Sequence, residues 1–211
     1  MTINMFITGG RAGQIMYFAA LVILIFQFFD NQKFKSLLAI LLLVPGVFYT
    51  AYQTSDLFHL RVQDVLNTTS AYQDNKGTGV GLRITFALNS WEVIKKNPII
   101  GVGIGDFPKE YRRINLINTP ELTNTSNPHS MYTLVLVQLG LLGFVSLLSI
   151  FYYEIKLSSL TKNKFIRDVG AALPLLFLLI MFSDSYLLGH FTTLMFVFFS
   201  SFLYKDFEQD Q

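Results

Sequence analysis

Reactive side chains are few in this chain. Its 211 residues include three histidines and no cysteine, which excludes cysteine nucleophiles, thiolate metal sites and disulfide scaffolds. His129 has the most pointed setting, in Asn127-Pro128-His129-Ser130 directly ahead of an uncharged run from Ser130 to Tyr153. An imidazole changes its charge within the physiological range and so can take or deliver a proton. A lone histidine at the edge of an apolar segment is nevertheless more often structural than catalytic. Arg11 stands in a matching place at the head of the uncharged run 12–29, where a long cation also serves simply by snorkelling to an interface. Arg83 falls on a helical flank with Ala87, Ser90 and Ile94 that can face a cavity. Glycines at 101, 103 and 105 invite a nucleotide-loop reading, but a dinucleotide fingerprint needs its third glycine where Asp106 stands. No strand pattern precedes these glycines and no helix pattern follows them. Close backbone packing and turns with positive φ are the preferred reading.

The elements that must position these residues follow from where the charges are missing. Hydrophobic residues make up 52% of the chain and charged residues 14%, against about 25% charged in an ordinary soluble domain. Uncharged stretches cover 12–29, 36–55, 130–153, 169–183 and 185–204. A helix that crosses ~30 Å of hydrocarbon needs about 20 mostly apolar residues, and buried helices of a soluble bundle would show a polar stripe that LLAILLLVPGVF lacks. The expected fold is therefore an all-α polytopic membrane protein with about five transmembrane helices. Lys33 and Lys35, then Lys156, Lys162, Lys164 and Arg167, mark the turns 30–35 and 154–168 as cytoplasmic, together with the tail from Lys205. The turn 184–190 and a large loop between the second and third spans then lie outside. This division predicts two spans in 1–53, an extracytoplasmic loop over 54–129, and three spans with a short tail in 130–211. A net charge of +2 gives no reason to expect a nucleic-acid partner; membrane lipids are the expected surroundings. Arg11 heads its run with no Lys or Arg before it and no persuasive cleavage site after it, which argues against a signal peptide.

Within the loop, 56–66 alternates with helical spacing and reads as an amphipathic helix carrying an interfacial His59. Residues 73–81 are glycine-rich and turn-like. Leu82–Lys96 reads as a second amphipathic helix, ended by Asn97-Pro98. Asp184 and His190 fall in the outer turn 184–190, where a solvated role is preferred to one lining a vestibule.

Three segments in this order resemble the O-antigen ligase and polymerase superfamily. ITGGRAGQI (7–15) is similar to its arginine element at the head of a helix, with Gly10 in place of the usual serine. LRITFALNSWEVIKKNPIIGVGIGDF (82–107) resembles its arginine helix followed by Asn-Pro, Gly-x-Gly-x-Gly and an aromatic. NPHSMYTLVLVQLGLLGFV (127–145) is similar to its Pro-His motif. The resemblance implies the C-terminal half of a GT-C-like membrane glycosyltransferase fold, the preceding spans lying ahead of the matching region. It implies an undecaprenyl-diphosphate-linked glycan as donor, and lipid A–core or another glycan as acceptor. It places the reaction on the periplasmic face of the bacterial inner membrane and requires neither cofactor nor metal. Carried over by motif, Arg11 and Arg83 would hold the diphosphate as its bond to the sugar breaks, because guanidinium offers permanent, bidentate donors to phosphate oxygens. His129 would position or deprotonate the acceptor hydroxyl. Arg112, Arg113 and Tyr132 share the region without a motif role and are substrate-binding candidates.

Two other readings compete. One is a non-enzymatic transporter component whose vestibule binds anions or glycolipids; it would be expected to place ionisable groups at the bilayer midplane or to show repeated, broken helices. The other is an inactive truncated remnant that keeps the motifs by descent. Ligation, polymerisation and protein O-glycosylation share these motifs.

Overall fold

A computed structural model describes residues 10–29, 32–74 and 76–204. The first residues of the arginine element (7–9), part of the 30–35 turn, Asn75 and the tail from Lys205 lie outside the described residues. Among those described, all regular structure is helical: α1 Arg11–Phe29, α2 Lys33–Thr54, α3 Asp56–Ser70, α4 Gly79–Lys96, α5 Phe107–Asn118, α6 Met131–Leu160, α7 Lys164–Ile180 and α8 His190–Leu203, with a 3₁₀ turn at Tyr186–Leu188. Three of them, α1, α2 and α6, are long and apolar enough to cross a membrane. The helices of the two expected C-terminal spans have 17 and 14 residues.

The chain divides into two compact units, Met1–Ala71 and Tyr72–Gln211. The division falls inside the segment 54–129, which by sequence is one loop. In the first unit Ser55 caps α3, its hydroxyl accepting from the Phe58 N–H at 3.2 Å. That start turns Phe58 inward against Ala51 of α2, with the Phe48 ring edge-on at 5.3 Å. His59 stacks on Tyr52 with ring centroids 4.1 Å apart. It is an α3 side chain packed on α2.

The second unit has two apolar cores that meet along α6. Phe86, Val93 and Ile94 of α4 and Phe107, Tyr111 and Ile114 of α5 enclose Leu134 and Val137. Val135, Leu147 and Phe151 pack with Phe177, Met181 and Phe196 of the C-terminal helices. The α5 helix corrects the expectation that no helix follows the glycines. Pro108 sits in its first turn, where a missing N–H costs nothing. Phe107, Tyr111, Ile114 and Asn115 then recur at helical spacing as the buried stripe. A buried amide network fastens α4 to α5: Asn89 donates to Thr119 Oγ1 at 2.8 Å and to Asn115 Oδ1 at 3.3 Å. Asn115 in turn donates to the Leu122 carbonyl at 3.0 Å and to Asn124 at 3.2 Å, holding the strap that leads towards His129.

The glycines at 101, 103 and 105 do have positive φ, at 72°, 113° and 87°. Their loop fills a break in α6 at Gly140 (φ 62°, ψ −159°). In an unbroken helix the N–H groups of Leu141 and Leu142 would reach back four residues, to Val137 and Gln138. Instead they donate to the carbonyls of Pro98 (2.8 Å) and Ile99 (3.2 Å), while the freed Val137 and Gln138 carbonyls accept from Val102 (2.9 Å) and Gly103 (3.0 Å). The loop thus satisfies all four groups that the break releases, as buried backbone requires. The approach is too close for side chains. A Cβ on Gly101 would lie 2.4 Å from the Gln138 carbonyl carbon, and one on Gly140 would lie 2.3 Å from the Ile99 carbonyl oxygen.

Candidate functional site

His129 is held where α6 begins. Its φ is +54°, and it is the sole non-glycine residue with positive φ among the described residues. Such a backbone costs roughly 1–2 kcal/mol for an L residue and persists where neighbours over-determine it, which is common at functional sites. Here the neighbours are specific. The His129 N–H donates to Asn127 Oδ1 at 2.9 Å, and the following Ser130 caps α6 through Thr133. The imidazole lies over Phe86 of α4, with centroids 5.9 Å apart and planes 22° from parallel.

Asp184 approaches the other side of the ring. Its Oδ2 is 3.3 Å from His129 Nδ1, a charge contact that falls short of an aligned hydrogen bond, because Nδ1 is buried without a formal partner. Asn127 bridges the two residues: its amide donates to Asp184 Oδ1 at 3.0 Å, and its oxygen also accepts from Ser185 Oγ at 2.8 Å. The Ser185 N–H donates to Asp184 Oδ1 at 2.7 Å. Burial alone would raise the Asp184 pKa, but the Ser185 N–H, the His129 ring and the Asn127 amide outweigh it and hold the carboxyl below the usual aspartate value. A carboxylate at Nδ1 favours the tautomer that leaves the Nε2 lone pair free. The His129 side chain is 37% exposed while Nδ1 is buried, so that exposure belongs to the part of the ring away from Nδ1.

Arg83 lies three residues before Phe86, one turn along α4 from the ring under His129. It is exposed, with no ion pair among the described residues. Arg112 and Arg113 are exposed on α5. With Lys109 and the strap 124–126 they line an open cleft of about 780 Å³, and the strap runs on into Asn127 and His129. Arg113 is partly neutralised by Glu110 at 2.5 Å. Tyr132 faces elsewhere: it is buried in the core shared by α6 and α7, and its hydroxyl donates to the Leu178 carbonyl at 2.5 Å. The structure shows it packed in this core, where the sequence reading offers it as a substrate-binding candidate. Arg11 belongs to the first unit, where its guanidinium pairs with Asp64 of α3.

The O-antigen ligase family matches residues 1–148. The chain belongs to the O-antigen ligase family. That family is one of glycan ligation or polymerisation at bacterial membranes, acting on a lipid-linked glycan donor and a glycan acceptor. No curated protein sequence matches the chain. The match to the O-antigen ligase family takes in Arg11, Arg83, Arg112, Arg113, His129 and Tyr132, and it ends before Asp184.

Sequence reasoning treats Asp184 as a solvated turn residue, and the structure corrects this by setting it against His129. A signal was present: Asp184 is the sole Asp, Glu, Lys or Arg between Asp168 and Lys205, and an isolated acid within so apolar a stretch calls for a partner. His190, in the same turn, is exposed.

Proposed function

We propose that the chain transfers an undecaprenyl-diphosphate-linked glycan to a sugar hydroxyl at the periplasmic face of the inner membrane. His129 Nε2 takes the proton from the acceptor hydroxyl. The acceptor oxygen bonds to the anomeric carbon as that carbon's bond to the diphosphate oxygen breaks, and the electron pair leaves with the diphosphate. Arg83, one turn from the Phe86–His129 stack, receives that charge. Arg11, assigned to the diphosphate by its motif, presents a guanidinium already oriented by Asp64. Asp184 keeps the imidazole turned so that Nε2 faces the acceptor. The cleft beside Arg112 and Arg113 receives substrate. Helices α7 and α8 serve as the fourth and fifth spans.

One observation carries this reading: a histidine strained into positive φ, braced by Phe86 and Asp184, stands at the head of an apolar helix in a member of the O-antigen ligase family. General-base help is worth about 10²–10⁴-fold. His129→Ala is expected to lose transfer by that factor, read as lipopolysaccharide or polymer profiles on complementation, with the protein still in the membrane. His129→Asn is the companion variant, since asparagine tolerates the left-handed backbone and supplies no base. An unchanged glycan profile with either variant would refute the catalytic role.

A further inference from the structure

Helix α6 has 30 residues in two limbs that meet at Gly140, together about 45 Å at 1.5 Å per residue. It therefore exceeds the ~30 Å hydrocarbon layer. Exposed Tyr152 and Tyr153, followed by Lys156, mark one interface, where amphipathic aromatics collect. Gly140 stands thirteen residues before Tyr153, roughly 20 Å back along the helix. That places it inside the hydrocarbon, about 10 Å short of the boundary on the His129 side. The break in α6, and the loop bonded into it, lie at that depth.

The loop is suited to lipid. Residues 97–105 carry no charge, and Lys95, Lys96 and Asp106 bracket them. Ile99, Ile100 and Ile104 are 62%, 69% and 81% exposed, although each follows or precedes a backbone segment packed on α6. Leu139, Leu141 and Leu142 are exposed at the same level of α6, so loop and helix share one apolar surface. Irregular backbone survives at such depth only where protein covers it or it lines a cavity. The exchange among Pro98, Ile99, Val102, Gly103 and α6 lays that part of the loop's backbone against the helix and pairs one backbone group of each residue. We propose that 97–105 is a re-entrant loop that dips into the leaflet on the His129 side, with Ile99, Ile100 and Ile104 against acyl chains. Lys96, at the loop's entrance, reaches phosphate headgroups. The limb Met131–Leu139 then spans about 13 Å and sets His129 at headgroup height. This inference rests on α6 being a span, and it is independent of glycan transfer.

The chain has one tryptophan, which makes a direct test possible. The full chain with Trp91→Phe and either Ile104→Trp or Ile100→Trp is reconstituted into phosphatidylcholine vesicles with brominated acyl chains. Trp91→Phe with Val145→Trp, at an exposed position of α6, is the reference. The proposal expects blue-shifted emission, a loss of intensity in brominated vesicles comparable with the reference, and little loss to aqueous iodide. Quenching by iodide in place of bromine overturns it. So does emission that neither agent touches, which means that protein covers the loop. A reference chain that itself escapes bromine removes the span and the proposal with it. No transfer activity is read, so failure here is distinct from failure of the transferase reading.

Discussion

At the scale of single residues, the arrangement at His129 separates two kinds of contribution. His129 touches the reacting hydroxyl in the proposed reaction, whereas Asp184 acts through His129 and is a positioning residue. Asp184→Asn should keep the Asn127 bridge in part but lose the charge at Nδ1. The expected result is a kcat lower by about tenfold or more, a part of the ~10²–10⁴-fold that general-base help supplies, with KM for the donor little changed. Steady-state transfer with a lipid-linked donor checks the split, since a merely structural role would lower the amount of folded protein and leave both constants intact. The Asp184 carboxyl titrates lower in the folded protein than in the unfolded chain. The stability it adds is therefore fully present above the ordinary aspartate value of about 3.9 and is lost as pH falls through the lower folded value. Melting curves of the wild type and Asp184→Asn should differ across the neutral range and converge only in stronger acid. Tyr132→Phe removes one hydrogen bond to Leu178. It should cost about 1 kcal/mol of stability, read by thermal melting, with kcat near that of the wild type. The prominence of Arg83 and His129 was legible because each stands in a recognisable motif. The partnership with Asp184 was not, because nothing local in a sequence pairs residues that meet only after α6 and α7 have packed.

At the scale of elements, the junction of the glycine loop with α6 makes a graded prediction. Gly101→Ala and Gly140→Ala would each force a Cβ against backbone atoms, at positive φ. Gly105→Ala meets positive φ but open space. Left-handed backbone costs an alanine roughly 1–2 kcal/mol, so Gly105→Ala should lose about that much. The other two should lose more than about 4 kcal/mol, a range reserved for named structural faults. Gly46→Ala, in α2 with nothing near its Cβ, should gain about 0.5–1 kcal/mol. Thermal melts in lipid nanodiscs rank the four, and equal losses at 101 and 105 would show that backbone contact is not what the glycine loop is for. The long helices α1, α2 and α6 could be read from uncharged runs alone, and α4 from its apolar spacing and Asn97-Pro98. Two features were hidden. The short α5 mixes a buried asparagine with its apolar stripe, so its period is blurred by the polar network it serves. The break at Gly140 lies in Leu-Gly-Leu-Leu-Gly, which reads as uninterrupted apolar helix, because only the partner loop makes a broken hydrogen-bond ladder tolerable there.

For the molecule as a whole, the low average charge conceals a division between apolar helices and the cation-bearing segment 54–129. Three helices have the length to cross a membrane. The remaining two, α7 and α8, would measure about 25 and 21 Å, short enough to need a locally thinned bilayer if they cross alone. Glu154 marks the limit of counting charges: placed by sequence in the cytoplasmic turn, it is buried within α6, because a helix continues through a charge when its neighbours can enclose it. The same distribution bears on how a departing diphosphate is neutralised. In this segment Asp64 is paired with Arg11, Glu92 with Lys95 and Glu110 with Arg113, while Asp56, Asp74, Asp106 and Glu121 form no ion pair among the described residues. Arg83 and Arg112 carry charge with no acidic partner among the described residues. Guanidinium groups can therefore meet the phosphate charge directly. Transfer in washed membranes should survive EDTA, and it should fall as added salt screens exposed arginines beyond a Debye length of about 10 Å at 0.1 M. Activity that EDTA abolishes and a divalent ion restores would transfer the role of charge neutraliser from the arginines to a metal, whatever base His129 proves to be.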